Sequence, residues 1–443
     1  MKKILYSISM LVLCACSGQQ PVPAEYSWEE DLQHRIAVDF NKTEAEVKEY
    51  IQQYIPEVTD SMMRAWEATG ALECMEIDGQ KRYFHNAGPN LFRVDSACYK
   101  IKEAHDGVQE PSTQQKIMMQ NLPAVIADVK QNGKPICQPG HMKVTYTLTV
   151  DADAVPAGEV VRCWLPLPRT DVARQTDVKV LSTSEKEYQI APDSCMHHTL
   201  YMEKVAQAGK PTVFTEEFVY TSAAEWFNLK PEDVQPYDTT TDLYKTYTAE
   251  REKHIVFTPE LRELAAQLTE GETNPLLKAC KIFQYVNDGF PWASAREYST
   301  IDNIPMYVLK NHKGDCGQVT LLFLTLCRIV GIPGHFQSGF MMHPGAWNLH
   351  DWGEIYFQGV GWVPVDMSFG IPTFMQDNPD IYWFYLGGID TWRMVVNQDY
   401  GMPLVPAKKY PRSETVDFQR GEVEWAGGNL YFDQWDYHMD IEY

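Results

Sequence analysis

At 443 residues the chain is too long for one simple core, and its length implies two to four domains. The composition, 44% hydrophobic and 12% aromatic, is that of an ordinary soluble globular protein. A formal net charge of −22 argues against nucleic acid as a partner and against electrostatic docking to an anionic bilayer.

The first residues read as a leader rather than as fold. Lys2-Lys3 precedes a short apolar run, Ile4 to Leu13, too short for a stable membrane span. The run ends Leu13-Cys14-Ala15-Cys16, which resembles a bacterial lipobox with cleavage before Cys16 and lipid on that thiol. Residues 1–15 are therefore expected to be a lipoprotein signal peptide and residues 16–27 a polar tether. The expected location is the bacterial cell envelope, lipid-anchored on the periplasmic or cell-surface side of the outer membrane.

Residues 28–138 carry mainly helical signals. Thr43-Glu44-Ala45-Glu46 is a capping box with Val47, Tyr50, Ile51 and Tyr54 as the stripe that follows. A further helix starts near Asp60. Leu72 to Phe84 reads as a hairpin around an Asp78-Gly79 turn, and helices are expected around 90–105 and 112–131. The aromatics of this region are assigned to core packing.

Beyond residue 140 the period changes from helix to strand. Val144, Tyr146, Leu148 and Val150 alternate with polar residues, and strand-like runs recur up to Tyr220. Strands at this spacing predict a small β-sandwich over 140–225. His197-His198 suggests a metal pair only superficially. Adjacent strand side chains point to opposite faces, and no further ligand stands at suitable spacing.

Residues 226–395 hold the chemistry. Thr258-Pro259 and Asn274-Pro275 each place a cap before a first-turn proline. Residues 290–313 read as an irregular approach to Cys316. That cysteine heads an apolar segment, Val319 to Val330, ended by Gly331-Ile332-Pro333. Apolar residues run nearly all round this helix, so it is expected to be buried. A cysteine at a helix N-terminus is favoured as thiolate by the dipole and the unpaired N–H groups.

Leu349 to Phe357 and Trp362 to Asp366 read as two strands of a hairpin. If Phe357 faces Gly361, then His350 and Asp366 share a face. Cysteine, imidazole and carboxylate are the parts of a nucleophile, its base and the group that orients the base. A lone cysteine in such a helix would ordinarily be a packing residue, and His350 and Asp366 are what reverse that here. Residues 396–443 are expected to form a β extension packed on this core.

Gly314-Asp315-Cys316-Gly317, His350-Asp351-Trp352-Gly353-Glu354 and Gly361-Trp362-Val363-Pro364-Val365-Asp366 together resemble the core of the transglutaminase-like superfamily, over roughly residues 255–395. That superfamily includes transglutaminases, peptide N-glycanases and bacterial cysteine peptidases or amidases. The resemblance implies an α+β fold with a papain-like catalytic core, its central nucleophile helix packed on an antiparallel sheet. The small β-sandwich and the helical region precede that core. It also implies the catalytic set Cys316, His350 and Asp366; the sequence carries no calcium loop and no phosphate, nicotinamide or flavin fingerprint, so no cofactor and no metal are expected. One oxyanion donor is expected to be the Cys316 backbone N–H. Related enzymes add a side chain from upstream, for which Trp292 and Tyr298 are the candidates. Glu354 stands where the family's histidine motif often has an acid, and a structural hydrogen bond is expected of it.

The expected activity is hydrolysis of an amide or peptide bond through a thioester, on a protein, peptide or cell-wall peptide substrate. Two alternatives stand beside it: protein crosslinking by acyl transfer to an amine, and a non-catalytic binding module on the same fold. Ten cysteines are present. Without Cys14, Cys16 and Cys316, seven scattered residues remain and make no disulfide framework, although one or two bridges stay open.

Overall fold

The computed structural model describes residues 26–107, 109–370 and 378–443. The leader, Cys16 and the tether up to residue 25 lie outside the described residues. Among the described residues no helix is long and apolar enough to cross a membrane.

Five helices and a hairpin form the first layer: α1 (Trp28–Asp39), α2 (Glu44–Gln52), α3 (Asp60–Ala68), the hairpin strands β1 (Cys74–Ile77) and β2 (Gln80–Tyr83), then α4 (Ala87–Val94) and α5 (Ser96–Asp106). The capping box at Thr43 is formed as the sequence implies, with Glu46 reaching back to the cap N–H. Phe40, Trp66, Tyr83, Phe84 and Phe92 pack together in a core of this layer's own. The long helix α6 (Thr113–Asn132) behaves differently. Met118, Leu122, Val125, Ile126 and Val129 on it join the catalytic core instead.

Two five-stranded antiparallel sheets follow. One runs β12 (Gly388–Ile389), β8 (Thr212–Trp226), β3 (Ile136–Val150), β16 (Trp435–Glu442), with β5 (Gln175–Thr183) also on β8. The other runs β15 (Gly428–Leu430), β14 (Glu422–Trp425), β4 (Val160–Pro166), β7 (Thr199–Val205), β6 (Tyr188–Ile190). The predicted alternation on β3 is observed: Val144, Tyr146, Leu148 and Val150 are all buried against the inner face of the second sheet. Residues 396–443 touch the core that α6 joins, through Tyr400 and Val416, but they are not an extension confined to it. Their strands β14 and β16 pair with β4 and β3, so the C-terminal segment completes the sandwich. Short strands between turns carry no sign of which open edge they will fill, and each edge here is filled by a strand more than 250 residues later in the chain.

The sheet that carries His350 is four-stranded and antiparallel, in the order β11 (Gly361–Val365), β10 (Asn348–Phe357), β9 (Gly334–Met341), β13 (Arg393–Gln398). Helix α11 (Cys316–Ile329) lies on β9 and β10 and is walled by α8 (Pro259–Leu268), α9 (Pro275–Gly289) and α10 (Ile304–Asn311). Two short helices, α7 (Asp242–Tyr247) and α12 (Pro379–Tyr382), complete the set. Every residue of α11 from Gly317 to Arg328 is buried, which is what an apolar stripe running all round a helix requires. Its end is fixed by Gly331 at φ +81° and by Arg328, whose Nε donates to the Gly334 carbonyl at 2.8 Å.

Residues 290–313 are more ordered than expected. They hold a 3-10 turn at Tyr298–Thr300 and then α10, capped by Asn303, whose side chain accepts from the Met306 N–H. Asn303-Ile304-Pro305 is a cap-and-proline signal of the kind seen at Thr258-Pro259, with the proline displaced by one position.

Gly339 is the glycine on which the sheet depends most closely. It pairs with His350, and a Cβ built on it would meet the Met394 carbonyl oxygen at 1.9 Å. Gly339→Ala is expected to lower stability by at least about 2 kcal/mol, because β13 must be pushed off β9. Urea unfolding of the two proteins measures this, and an unchanged midpoint would show that the strands separate freely.

Candidate active site

Cys316 is the first residue of α11. Asp315 caps the helix by accepting the Gln318 N–H at 3.1 Å, and Gln318 Oε1 accepts the Asp315 N–H at 3.3 Å. Upstream, Trp292 pairs with Gly314, and the Ala293 N–H donates to the Gly314 carbonyl at 3.1 Å, so the backbone before the cysteine is clamped. Gly317 has no room for a side chain: a Cβ there would lie 2.4 Å from the Tyr298 hydroxyl and 2.6 Å from Asp351 Oδ2.

The hairpin has the register the sequence implies, with Phe357 opposite Gly361. His350 on β10 and Asp366 just past β11 consequently share a face, and His350 Nε2 meets Asp366 Oδ2 at 2.8 Å. With Nε2 engaged, Nδ1 is the ring nitrogen left to serve a nucleophile. The imidazole is fixed from two further sides. Phe369 stands edge-on at 5.1 Å between centroids, and Trp352 stacks at 5.7 Å. Trp352 is held in turn by its Nε1–H bond to Gln337 Oε1 at 2.7 Å.

Asp366 is gripped from all sides. Its Oδ1 accepts the N–H groups of Ser368 and Phe369 at 3.1 and 3.3 Å, and its Oδ2 is ion-paired at 2.8 Å to Arg393 Nη1. Arg393, on β13, is fully buried and also pairs with Asp390 at 2.7 Å, while His343 Nε2 approaches Asp390 from the far side at 3.2 Å. The Arg393 guanidinium lies over the Phe369 ring at 4.3 Å. Glu354 points elsewhere, to Gln337 Nε2 and His335 Nε2, both at 2.9 Å. Neither Glu354 nor the pair His197 and His198 joins the site. His197 contacts Arg412 at 2.7 Å, and His198 faces the Pro168 carbonyl at 2.9 Å.

This helix-and-hairpin arrangement has a counterpart among known families. Residues 262–367 match the family model of the transglutaminase-like superfamily. Among curated proteins nothing matches. Among solved structures, a candidate cysteine protease from Cytophaga hutchinsonii is similar at 11% identity and TM-score 0.45, over 69% of this chain and 91% of that one. The periplasmic domain of TgpA from Pseudomonas aeruginosa is similar at 14% identity and TM-score 0.28, over 57% of this chain and 97% of that one. A candidate protease from Parabacteroides distasonis has 10% identity and TM-score 0.22, over 55% and 64% of the two chains. TM-scores below 0.5 do not place a residue of this chain on a residue of theirs.

Within the matched segment, the Cys316 thiol makes a contact that the motifs do not announce. Sγ lies 3.5 Å from Asp351 Oδ2, on the residue next to His350. Asp351 also accepts Gln419 Nε2 on Oδ1 at 2.8 Å, and the same amide donates to the His350 carbonyl at 2.9 Å. Tyr298 donates its hydroxyl to Asp315 Oδ1 at 2.7 Å and lies 3.4 Å from Asp351 Oδ2, so it borders the nucleophile. Trp292, the other upstream candidate, is 48% exposed and rests its ring against Arg93 of the first layer at 4.9 Å.

The electrostatics overturn the expectation of a resting thiolate. Burial pushes the Cys316 thiol well above its ordinary range, and the carboxyls of Asp351 and Asp315 push it further. Burial likewise lowers the His350 imidazole, against the pull of Asp366. Burial works against the Asp366 carboxylate, yet His350 and Arg393 hold it below its ordinary value. At rest the site therefore holds a thiol and a neutral imidazole, beside a firmly ionised Asp366. Seven of the described cysteines, Cys195 aside, are free thiols, Cys163 and Cys327 among them fully buried. Among the described residues no group of three or more His, Cys, Asp or Glu side chains is placed to hold a metal ion.

Asp351, Arg393 and Gln419 were not legible as site residues. Asp351 stands inside a recognised motif but on the strand face away from His350. Arg393 and Gln419 arrive from later segments with no motif of their own. Arg393→Met is expected to cost about 3–5 kcal/mol at pH 7, because it leaves two carboxylates buried without their cation. The sign follows from Asp366: its depressed folded-state value supports stability above the unfolded carboxylate range, and this support fades on acidification. The deficit of the variant should accordingly be smaller at about pH 3 than at pH 7, the loss setting in below the unfolded carboxylate value of about 3.9. Urea unfolding at both pH values checks it, and a deficit that grows in acid would exclude this account of the ion pair.

Proposed function

We propose that the protein is a cysteine-dependent hydrolase of amide or peptide bonds, with Cys316 as nucleophile, His350 as general base and acid, and Asp366 as the group that orients His350. What supports this is one observation: the 2.8 Å His350–Asp366 pair lies on the same strand and hairpin that the Cys316 thiol touches. The transglutaminase-like match over residues 262–367 covers all three residues.

In this mechanism His350 Nδ1 takes the thiol proton as Sγ attacks the substrate carbonyl carbon. The carbon–nitrogen bond then breaks, and the same proton passes to the departing amine. Water, deprotonated by His350, splits the thioester and restores the thiol. Asp366, held ionised by Arg393, accepts from Nε2–H and stabilises the imidazolium that forms twice per cycle. The Cys316 backbone N–H is one donor to the oxyanion, since the first N–H groups of a helix have no partner within it. Tyr298, whose hydroxyl borders the nucleophile, is the side-chain candidate that reaches this place, whereas Trp292 turns its ring to solvent and Arg93.

The substrate class we propose is protein, peptide or cell-wall peptide outside the cytoplasm, with the body tethered by lipid on Cys16. The basic and apolar leader ahead of that residue supports this location.

The test is hydrolysis of a set of quenched peptides and cell-wall stem peptides by the wild type and two variants. Cys316→Ala should abolish turnover. Asp366→Asn should lower kcat/KM by a factor on the order of 10³–10⁴, since the imidazole then loses its tautomer and its counter-charge. Labelled cadaverine appearing in casein, with peptide cleavage absent, would replace hydrolysis by amine transfer. Turnover that survives in Cys316→Ala would remove the mechanism altogether.

A further inference from the structure

Asp351 is the residue in the site that the mechanism above does not use. It is 2% exposed, yet its partners bring no positive charge: an amide from Gln419, a hydroxyl from Tyr298 and the thiol of Cys316. Asp366, one strand away, shows the contrast, because it has both Arg393 and His350. A buried carboxylate with only neutral donors is costly, and the group holds its proton to a higher pH than an exposed aspartate does.

The neighbours do not change that balance. The 3-10 turn contributes Tyr298 and, beside it, Glu297, while the cap of α11 contributes Asp315. The C-terminal segment contributes Glu414, Asp417 and Arg420, but Arg420 is already ion-paired to Glu297 at 2.8 Å and to Glu414 at 2.7 Å. On β10 itself stands His350, with Asp366 and Arg393 behind it. Acidic groups therefore outnumber free cations around the thiol.

We propose that Asp351 is a catalytic-site residue that restrains the nucleophile: its carboxyl touches Cys316 Sγ, and the two groups compete for one negative charge, so that the thiolate forms readily only while Asp351 keeps its proton. This deepens the hydrolase reading and rests on Cys316 being its nucleophile. The two anionic forms are alternatives, thiolate beside carboxylic acid or thiol beside carboxylate, and both together would place like charges 3.5 Å apart in a buried site. The upward shift of both groups, each caused first by burial and then by neighbouring carboxyls, agrees with this geometry. Asparagine at position 351 would keep the shape and the bond to Gln419 while removing the competing charge, and its amide could donate to the thiolate.

The experiment is the rate of iodoacetamide labelling at Cys316 from pH 5 to 10, read by mass spectrometry, in the wild type and in Asp351→Asn. The wild type should reach half its maximal rate above the free-thiol value of about 8.5. In Asp351→Asn the midpoint should fall by at least about one pH unit, which makes labelling at pH 7 about tenfold faster. Cys163 and Cys327, both fully buried, should stay unlabelled in each protein and so report an intact fold. A site merely loosened by the substitution would label faster at every pH with the midpoint in place, and that result overturns the proposal. A wild-type midpoint at or below about 8.5 overturns it without recourse to any variant. Peptide hydrolysis retained alongside an unmoved midpoint would remove the restraint and leave the hydrolase standing. A moved midpoint with no hydrolysis in the wild type supports the restraint and removes the hydrolase.

Discussion

The site is organised by the placement of one buried negative charge on Asp366. Taking a carboxylate out of water costs several kcal/mol unless its oxygens are met, and here both are. Two backbone N–H groups meet Oδ1, while His350 and Arg393 share Oδ2. The arrangement ties three strands together, since His350 comes from β10, Asp366 from the end of β11 and Arg393 from β13. The geometry of the site and that of the sheet are thus the same constraint. The glycine at position 339 lets β13 approach β9 closely enough for Arg393 to arrive.

The two aspartates near the nucleophile have opposite characters for a physical reason that is visible in their partners. Asp366 faces cations, which hold it below the ordinary carboxylate range, and Asp351 faces neutral donors, so burial pushes it above that range. Pairs of like groups separated in this way by their surroundings are how a site holds an acid and a base at one pH. The helix dipole at Cys316 acts in the direction expected of it. It is outweighed, because the field of one helix end is worth about 1 kcal/mol, less than dense packing beside carboxyl groups imposes on a thiolate.

Much of the core and of the site was legible in local pattern. The capping boxes, the all-round apolar helix behind Cys316 and the hairpin register that aligns His350 with Asp366 follow from spacing and side-chain chemistry within a few residues. Helix α10 was missed, although Asn303 and Pro305 signal it, because its proline stands one place later than in the other caps. What lay beyond local pattern is the pairing of distant strands. Nothing in Glu422–Trp425 or Trp435–Glu442 specifies β4 and β3 as neighbours, because edge preference depends on which edges remain open in the folded sheet. Arg393 and Gln419 are site residues through that long-range topology, and no motif length could have included them. Asp351 was hidden differently: the motif drew attention to one face of β10, and Asp351 serves the other.

The completion of the sandwich by late strands has a consequence for the order of synthesis. As the chain is made from its N-terminus, β3 and β4 appear early but lack their β16 and β14 partners until residues beyond 420 have been added. Gln419, which steadies both the His350 carbonyl and Asp351, lies in the same final stretch. Contacts of such long sequence separation form slowly, because closing the intervening chain costs entropy before the pairing repays it. A nascent molecule therefore has the helix that carries Cys316 long before it has a finished site, and the surroundings of the thiol are complete only when the last strands are in place.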